Sequence, residues 1–213
     1  MTSVTTASDQ AEPDSEFESS ADPIGLFGRW FEKAKTTESD LPDAMSLATC
    51  GDDAMPDVRM VLLKSFDERG FVFYTNLGSR KALDIAGNAR AALCFHWKSL
   101  TRQVRIQGNV EEVSAEEADA YFATRSKQSQ IGAWASQQSR PIAGRFELEA
   151  QVAKYTAKYA LKKTERPPFW SGYRVVPLRI EFWRQGSFRL HDRRVFKRDD
   201  AGQSGWKSER LYP

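Results

Sequence analysis

Two histidines and two cysteines in 213 residues leave little room for metal chemistry. Cys50 and Cys94 form no CxxC pair and have no His or Cys at metal-ligand spacing, so free, buried thiols are expected and a metal site is not. Long apolar runs are absent too: none approaches the ~20 residues that a membrane-spanning helix requires. The first residues lack the basic segment and apolar stretch of a secretion signal, and these absences together point to a cytoplasmic protein with no membrane partner. No Lys or Arg precedes Arg29, whereas residues 1–22 hold six acids. Residues 1–21, rich in Ser, Thr, Asp and Glu and poor in aliphatics, cannot bury enough to offset their ordering entropy, which predicts a disordered acidic tail. Residues 22–213 are then expected to form a single domain.

Aromatic residues make up 12% of the chain and favour a strand-rich structure with large interior side chains. The acidic start also leaves the remainder basic: all 31 cations face only 23 acids there, a formal charge of +8. Such an excess suits anionic ligands, whether small phosphates or nucleic acid.

Asp22 and Pro23 read as an N-cap followed by Pro at the first helical position, and Ile24, Phe27, Trp30, Phe31 and Ala34 then share one helical face. A strand is expected over 44–50 and a turn at Gly51, Asp52 and Asp53. Helix is expected over 80–86, ending near Gly87 and Asn88, and a buried strand over 91–97 in which His96 is a core or rim residue. Over 102–113 the side chains alternate, with Gln103, Arg105 and Gln107 opposite Val104 and Ile106, as in a half-buried strand. Ser114 and Glu117 form a capping box, so a helix starts there and places Tyr121 and Arg125 one turn apart, with Ser129 just beyond. Two more helices follow, the second over 141–159, until Pro167 and Pro168 block further helix. Strands return over 174–176, 178–183, 195–198 and 206–211.

Residues 59–81 concentrate chemistry. Apolar runs at 60–63 and 71–74, separated by Asp67, Glu68, Arg69 and Gly70, predict a hairpin. Arg59 and Lys64 bracket its first strand. The second leads through Gly78 and Ser79 into a helix carrying Arg80 and Lys81 in its first turn. Unpaired helix-start amides, a capping hydroxyl at Ser79 and several cations make a phosphate cradle, although the glycine spacing excludes a Walker loop. Composition leaves open a solvated hairpin with ordinary surface charges.

The most specific stretch is 180–193, IEFWRQGSFRLHDR. Glu181 and Trp183, a short spacer, then Arg189, Leu190, His191, Asp192 and Arg193 strongly resemble the C-terminal signature of the pyridoxine/pyridoxamine 5′-phosphate oxidases. RMVLLK, FVFYTNLGSRK, the strand beginning at Arg102, YFATRSKQSQIGAWAS and the pair Gln138 and Ser139 resemble that family's blocks in the same order, from about 22 to 213.

This resemblance implies a mainly β fold with inserted helices, an FMN-binding split β-barrel of Greek-key-like connectivity, acting as a homodimer with FMN at the subunit interface. By position, Arg59, Met60, Val61, Leu62, Leu63, Lys64, Tyr74, Thr75, Arg80, Lys81, Gln103, Gln138, Ser139, Trp183 and Arg193 would contact FMN. Lys64, Tyr121, Arg125 and Ser129 would grip the phosphate of a small pyridine substrate. Arg189, Leu190 and His191 would lie over its ring, with Arg189 and His191 as the catalytic pair. The implied reaction oxidises pyridoxine 5′-phosphate or pyridoxamine 5′-phosphate to pyridoxal 5′-phosphate and reduces oxygen to hydrogen peroxide, with no nucleic-acid or membrane partner. The residue chemistry agrees, since a dianionic phosphate suits a Lys, an Arg and two hydroxyls converging on it. Arg189, fixed in charge, suits positioning and stabilisation of negative charge, whereas His191 could orient substrate or shuttle a proton.

Two features depart from the family pattern. Some members close the site with an N-terminal Arg and Tyr; here neither precedes Arg29, so that lid is missing or made from something else. Arg184 follows Trp183 where many members carry an uncharged residue. Rival readings are a split-barrel FMN oxidase acting on a phenazine-type metabolite and a flavin-binding barrel without turnover.

Overall fold

Asp22 and Pro23 open a long helix as their chemistry requires. In the computed structural model, which describes residues 15–200 and 205–213, α2 (Pro23–Thr37) begins with the Asp22 carboxylate accepting from the Ile24 amide at 2.9 Å. Its apolar stripe is buried, and Phe27 sits at the centre of the core. The rings of Phe31, Phe66, Phe71, Phe95 and Trp97 all lie within 5.9 Å of the Phe27 ring.

The expected tail through residue 21 needs correction in its last part. Residues 15–19 form a short helix, α1 (Ser15–Ser19), and Phe17 is fully buried, stacked 5.8 Å from Trp30. Arg194 donates to the Phe17 and Glu18 carbonyls at 2.6 and 3.0 Å. One aromatic side chain plus these charge-assisted bonds offsets the ordering cost that the polar composition suggested. Arg184 belongs to this anchor: it covers the Phe17 ring at 5.4 Å and pairs with Asp192 at 2.5 Å. The remainder of the expected tail, 1–14, lies outside the described residues.

Among the described residues the nine strands are β1 (Ala44–Cys50), β2 (Pro56–Leu62), β3 (Ser65–Asp67), β4 (Gly70–Asn76), β5 (Arg90–Trp97), β6 (Arg102–Glu112), β7 (Trp170–Arg184), β8 (Asp192–Lys197) and β9 (Lys207–Leu211). They form one antiparallel sheet curled into a half-barrel, in the order β2-β1-β5-β6-β7-β4-β3, with β8 on β7 and β9 on β8. The helices α3 (Arg80–Gly87), α4 (Ala115–Thr124), α5 (Lys127–Ala135) and α6 (Arg145–Lys158) are inserted between strands. This is the mainly β architecture with helices that the sequence implied. No helix among the described residues is long and apolar enough to cross a membrane.

The hairpin expected between 60–63 and 71–74 has a different partner arrangement. β2 pairs with β1, Met60 opposite Ser46, and the turn at 67–70 instead joins the short β3 to β4, Phe66 opposite Phe71. The exchange takes two residues: the Leu63 amide donates to Asp43 on one side and the Lys64 amide to Val72 on the other. Local alternation reports which face is buried, and it cannot report which neighbour receives the backbone bonds.

β7 runs as a single strand through Pro177, where the sequence suggested two. The missing Pro amide is accommodated by a shift of register beside it: consecutive Gln107 and Gly108 of β6 face Arg179 and Pro177, which leaves Leu178 as an extra, unpaired residue of β7. A Cβ on Gly108 would stand 2.0 Å from the Val176 carbonyl oxygen. Gly108→Ala is therefore expected to cost about 1–3 kcal/mol, read as a lower denaturation midpoint at unchanged slope. The last helix also starts at Arg145, later than the expected 141.

α4 is held against β7 by buried Arg174, whose Nη2 donates to both Glu117 carboxylate oxygens at 2.9 and 2.8 Å. That contact fixes the helix bearing Tyr121.

Candidate active site

β2, β4, α3, α4 and α5 surround an open cavity of about 760 Å³. Its size lies within the range for small-molecule sites.

One corner gathers cations and hydroxyls. Arg59 arrives from β2, Thr75 from β4, and Arg80 and Lys81 from the first turn of α3. Ser79 occupies the N-cap of α3 but makes no side-chain cap, contrary to expectation. Its hydroxyl instead lies 3.4 Å from the Thr75 hydroxyl and accepts from Lys81 Nζ at 3.3 Å. Lys81 is buried, and burial followed by the nearby charge of Arg59 lowers its pKa. Gln138 is drawn in from a distant part of the chain, its carbonyl accepting from Thr75 Oγ1 at 3.3 Å; Ser139 beside it has φ +69°. Side-chain oxygens and cations from four segments thus face one volume, a donor set that fits a phosphate monoester.

A second corner is aromatic. Tyr74 stacks on Tyr121 at 4.0 Å and on Trp170 at 5.3 Å, with interplanar angles of 14° and 6°. Gly172 permits this, since a Cβ there would stand 2.7 Å from the Tyr74 ring. Burial, then the charge of Glu117, pushes the Tyr74 hydroxyl up to about 12, so it stays a donor at ordinary pH. Arg125 lies 4.8 Å over Trp170. It caps α4 in extended geometry and does not continue the helix, yet it lines the cavity with Tyr121, Ser129 and Lys64. Burial lowers the pKa of Arg125, and its Nη1 is buried with no hydrogen-bond partner among the described residues. An unsatisfied guanidinium nitrogen costs about 1–3 kcal/mol and calls for an acceptor. Lys64 reaches Asp43 at 2.9 Å, and the Ser129 hydroxyl accepts from Ser126 at 2.9 Å.

Met60, Val61 and Leu62 line this cavity, whereas the Leu63 side chain is buried in the core. Gln103, Trp183, Arg189, Leu190, His191 and Arg193 do not line it. Strand register places Gln103 opposite Trp183, and Trp183 opposite Arg193, in one row across β6, β7 and β8. A 3-10 turn at Ser187–Arg189 follows, with Phe188 and Arg189 at φ 54° and 64°. The His191 ring lies 4.7 Å from Trp183, and its Nδ1 accepts from the Gly186 amide at 3.3 Å, so the neutral ring carries its proton on Nε2.

Arg193 is anchored by Glu181, which accepts from its Nε at 2.9 Å and its Nη2 at 2.6 Å, and from Arg179 at 2.7 Å. Burial works to raise the Glu181 carboxyl, but the bonds from Arg193 and Arg179 outweigh it and the pKa falls below the usual 4.5. A depressed carboxylate contributes stability that is fully present above pH 4.5 and is lost as pH falls through its folded value. Glu181→Gln should thus flatten the loss of stability below that pH, measured by denaturant melts across an acid series.

The cavity also includes Asp57, Asn76, Ser136 and Trp170, which the sequence did not single out. For Trp170 a signal existed: aromatic and apolar residues already run through 169–176, directly after the two prolines.

Comparison with known proteins bears on this geometry. The family profile described as "Pyridoxamine 5'-phosphate oxidase" matches residues 32–159, and one described as "Pyridoxine 5'-phosphate oxidase C-terminal dimerisation region" matches residues 170–213. A protein of Azorhizobium caulinodans named pyridoxine/pyridoxamine 5′-phosphate oxidase is 56% identical over 198 residues, covering 93% of each chain. One of the same name from Brucella canis is 55% identical, covering 93% of this chain and 97% of its own. Among solved structures, PhzG from Burkholderia lata 383, in complex with tetrahydrophenazine-1-carboxylic acid, superposes with TM-score 0.88 at 30% identity, covering 96% of this chain and 98% of its own. A pyridoxamine 5′-phosphate oxidase-related, FMN-binding protein from Nostoc punctiforme has the same fold, with TM-score 0.71 at 18% identity over 92% of this chain and 99% of its own.

Proposed function

The chain belongs to the pyridoxine/pyridoxamine 5′-phosphate oxidase family, and from that premise we propose that its cavity holds FMN and the phosphate of a pyridine substrate in two separate cationic corners. The enzyme oxidises pyridoxine 5′-phosphate and pyridoxamine 5′-phosphate to pyridoxal 5′-phosphate. Oxygen becomes hydrogen peroxide, and the amine substrate also consumes water and releases ammonia. The phenazine reading is not favoured, since the relatives named as oxidases of the vitamin ester are 55–56% identical and the phenazine protein 30%.

When bound, FMN would supply the redox chemistry that links oxidation of the substrate to reduction of oxygen. The chain supplies binding and alignment. Arg59, Arg80, Lys81 and the hydroxyl of Thr75 hold the cofactor phosphate, with Gln138 and Ser139 beside them and the buried Ser79 hydroxyl behind Lys81. Arg125, Lys64, Tyr121 and Ser129 hold the substrate phosphate. The observation that carries this assignment is the buried Arg125 Nη1, without a hydrogen-bond partner among the described residues, which a phosphate oxygen would satisfy. Lys64 exchanges Asp43 for the ligand. Holding the two rings in a reactive pose contributes roughly 7–11 kcal/mol.

The remaining half of the site comes from a second copy of the chain. On one protomer the row Gln103, Trp183 and Arg193 and the turn bearing Arg189 and His191 stand outside the cavity. Met55, Val58, Met60 and Leu83 are each at least 60% exposed on the single chain, an apolar surface suited to a two-fold partner. In the homodimer, Trp183 walls the flavin, Arg189 positions the substrate ring and stabilises negative charge, and His191 donates from Nε2. Both ligands are phosphate esters, and a cytoplasmic setting is part of the same proposal.

The test compares peroxide release from pyridoxine 5′-phosphate and from unphosphorylated pyridoxine by the yellow, FMN-containing protein. The ester should react while the free alcohol is nearly inert, and equal rates contradict the phosphate assignment. Arg189→Met should lower turnover far more than FMN retention; undiminished turnover removes Arg189 from the mechanism.

A further inference from the structure

A carboxylate lies behind the cationic corner, where an anion site would be expected to exclude one. Asp84, on α3, is 4% exposed and lies among groups from three elements. Its Oδ1 receives Arg80 Nε at 2.8 Å, and its Oδ2 accepts from the Thr49 hydroxyl at 2.7 Å. Thr49, itself 3% exposed, accepts in turn from Arg59 Nη1 at 2.6 Å. Arg59 Nη2 stands 3.7 Å from Asp84 Oδ2. One buried carboxylate, with one bridging hydroxyl, therefore ties together two arginines that reach the cavity from β2 and α3.

Each arginine has another acid, Asp57 on Arg59 and Asp53 on Arg80, but those side chains are 45% and 54% exposed and well screened. Asp84 is the shared, buried partner. Arg59, Arg80 and Lys81 repel one another when brought together, and burial, then the charge of Arg59, lowers the pKa of Lys81. A carboxylate placed behind them offsets that repulsion and sets the direction of each planar guanidinium before any phosphate arrives.

We propose that Asp84, acting through Thr49, is a positioning residue that aims Arg59 and Arg80 at the cofactor phosphate and so confers selectivity for the phosphorylated flavin over riboflavin. The proposal rests on assigning this corner to the FMN phosphate. A merely structural role, clamping α3 to β1, would affect both flavins alike, because they share the isoalloxazine ring and ribityl chain. Selectivity between them reports only on the phosphate.

Full-length protein freed of flavin is titrated separately with FMN and with riboflavin, following quenching of flavin fluorescence. Asp84→Asn keeps the size and removes the charge; the FMN Kd should rise about 10- to 100-fold while the riboflavin Kd changes by less than about threefold. Thr49→Val removes only the bridge and should narrow the selectivity in the same direction by a smaller factor. If Asp84→Asn fails to fold, by circular dichroism, Thr49→Val decides alone. An unchanged ratio of the two Kd values in the folded variants, including a parallel loss of both flavins, overturns the proposal. Wild-type protein with no preference for FMN over riboflavin would refute the phosphate assignment itself.

Discussion

Arg125→Met should lower kcat/KM for pyridoxine 5′-phosphate by about 10²- to 10³-fold, chiefly through KM. The guanidinium is held over Trp170 with a buried nitrogen that has no hydrogen-bond partner among the described residues, so the proposed bond to a phosphate oxygen would be partly shielded from water. Removing one partner of such a contact costs about 2–5 kcal/mol. The phosphate is remote from the reacting carbon and is gripped equally in ground and transition states, which is why kcat should fall much less. Arg125→Lys keeps the charge but loses the planar stack, and about tenfold is expected. Stability should move the opposite way: deleting a half-buried cation whose Nη1 has no hydrogen-bond partner among the described residues leaves the melting temperature of the ligand-free protein unchanged or raised. Steady-state peroxide assays and thermal melts check both parts, and a wild-type KM would remove Arg125 from the substrate site.

Phe27→Ala should cost about 3–5 kcal/mol. Phe27 is fully buried and touches five aromatic rings contributed by α2, β3, β4 and β5, so no single neighbour can collapse into the void. For a chain of this length that corresponds to a fall in melting temperature of roughly 6–20 °C. The comparison must be made at one protein concentration, because dimerisation shifts apparent stability. A change under about 1 kcal/mol would mean that the aromatic cluster is not the centre of the core.

Much of the fold was readable because the signals were local. The Asp22 cap with Pro23, the Ser114 cap on the Glu117 amide and the alternation through 102–113 each depend on neighbours within a few residues, and each appears in the structure; the other half of the expected box does not, because the Glu117 carboxylate turns to Arg174. The failures involve distant partners. β2 joined β1 and not β4, the chain ran straight through Pro177 because the register against β6 shifts beside it, and Phe17 was drawn into the core from a polar segment by Trp30 and Arg194. In the site, Arg80 and Asp84 stood at helical pair spacing in the sequence, but nothing there showed that Thr49 and Arg59 would meet the same carboxylate.

Sequence by itself determined the strand and helix periodicities, the supply of cations and the family motif at 180–193, since these are properties of residue type and short spacing. Only the tertiary structure decided which cations share a cavity, which acid stands behind them, and that Trp183, Arg189 and His191 lie outside it on the same chain. The physical reason is that residues far apart in the chain meet through sheet order and register. Backbone bonding between strands sets that order, and the same alternating pattern is compatible with several neighbours.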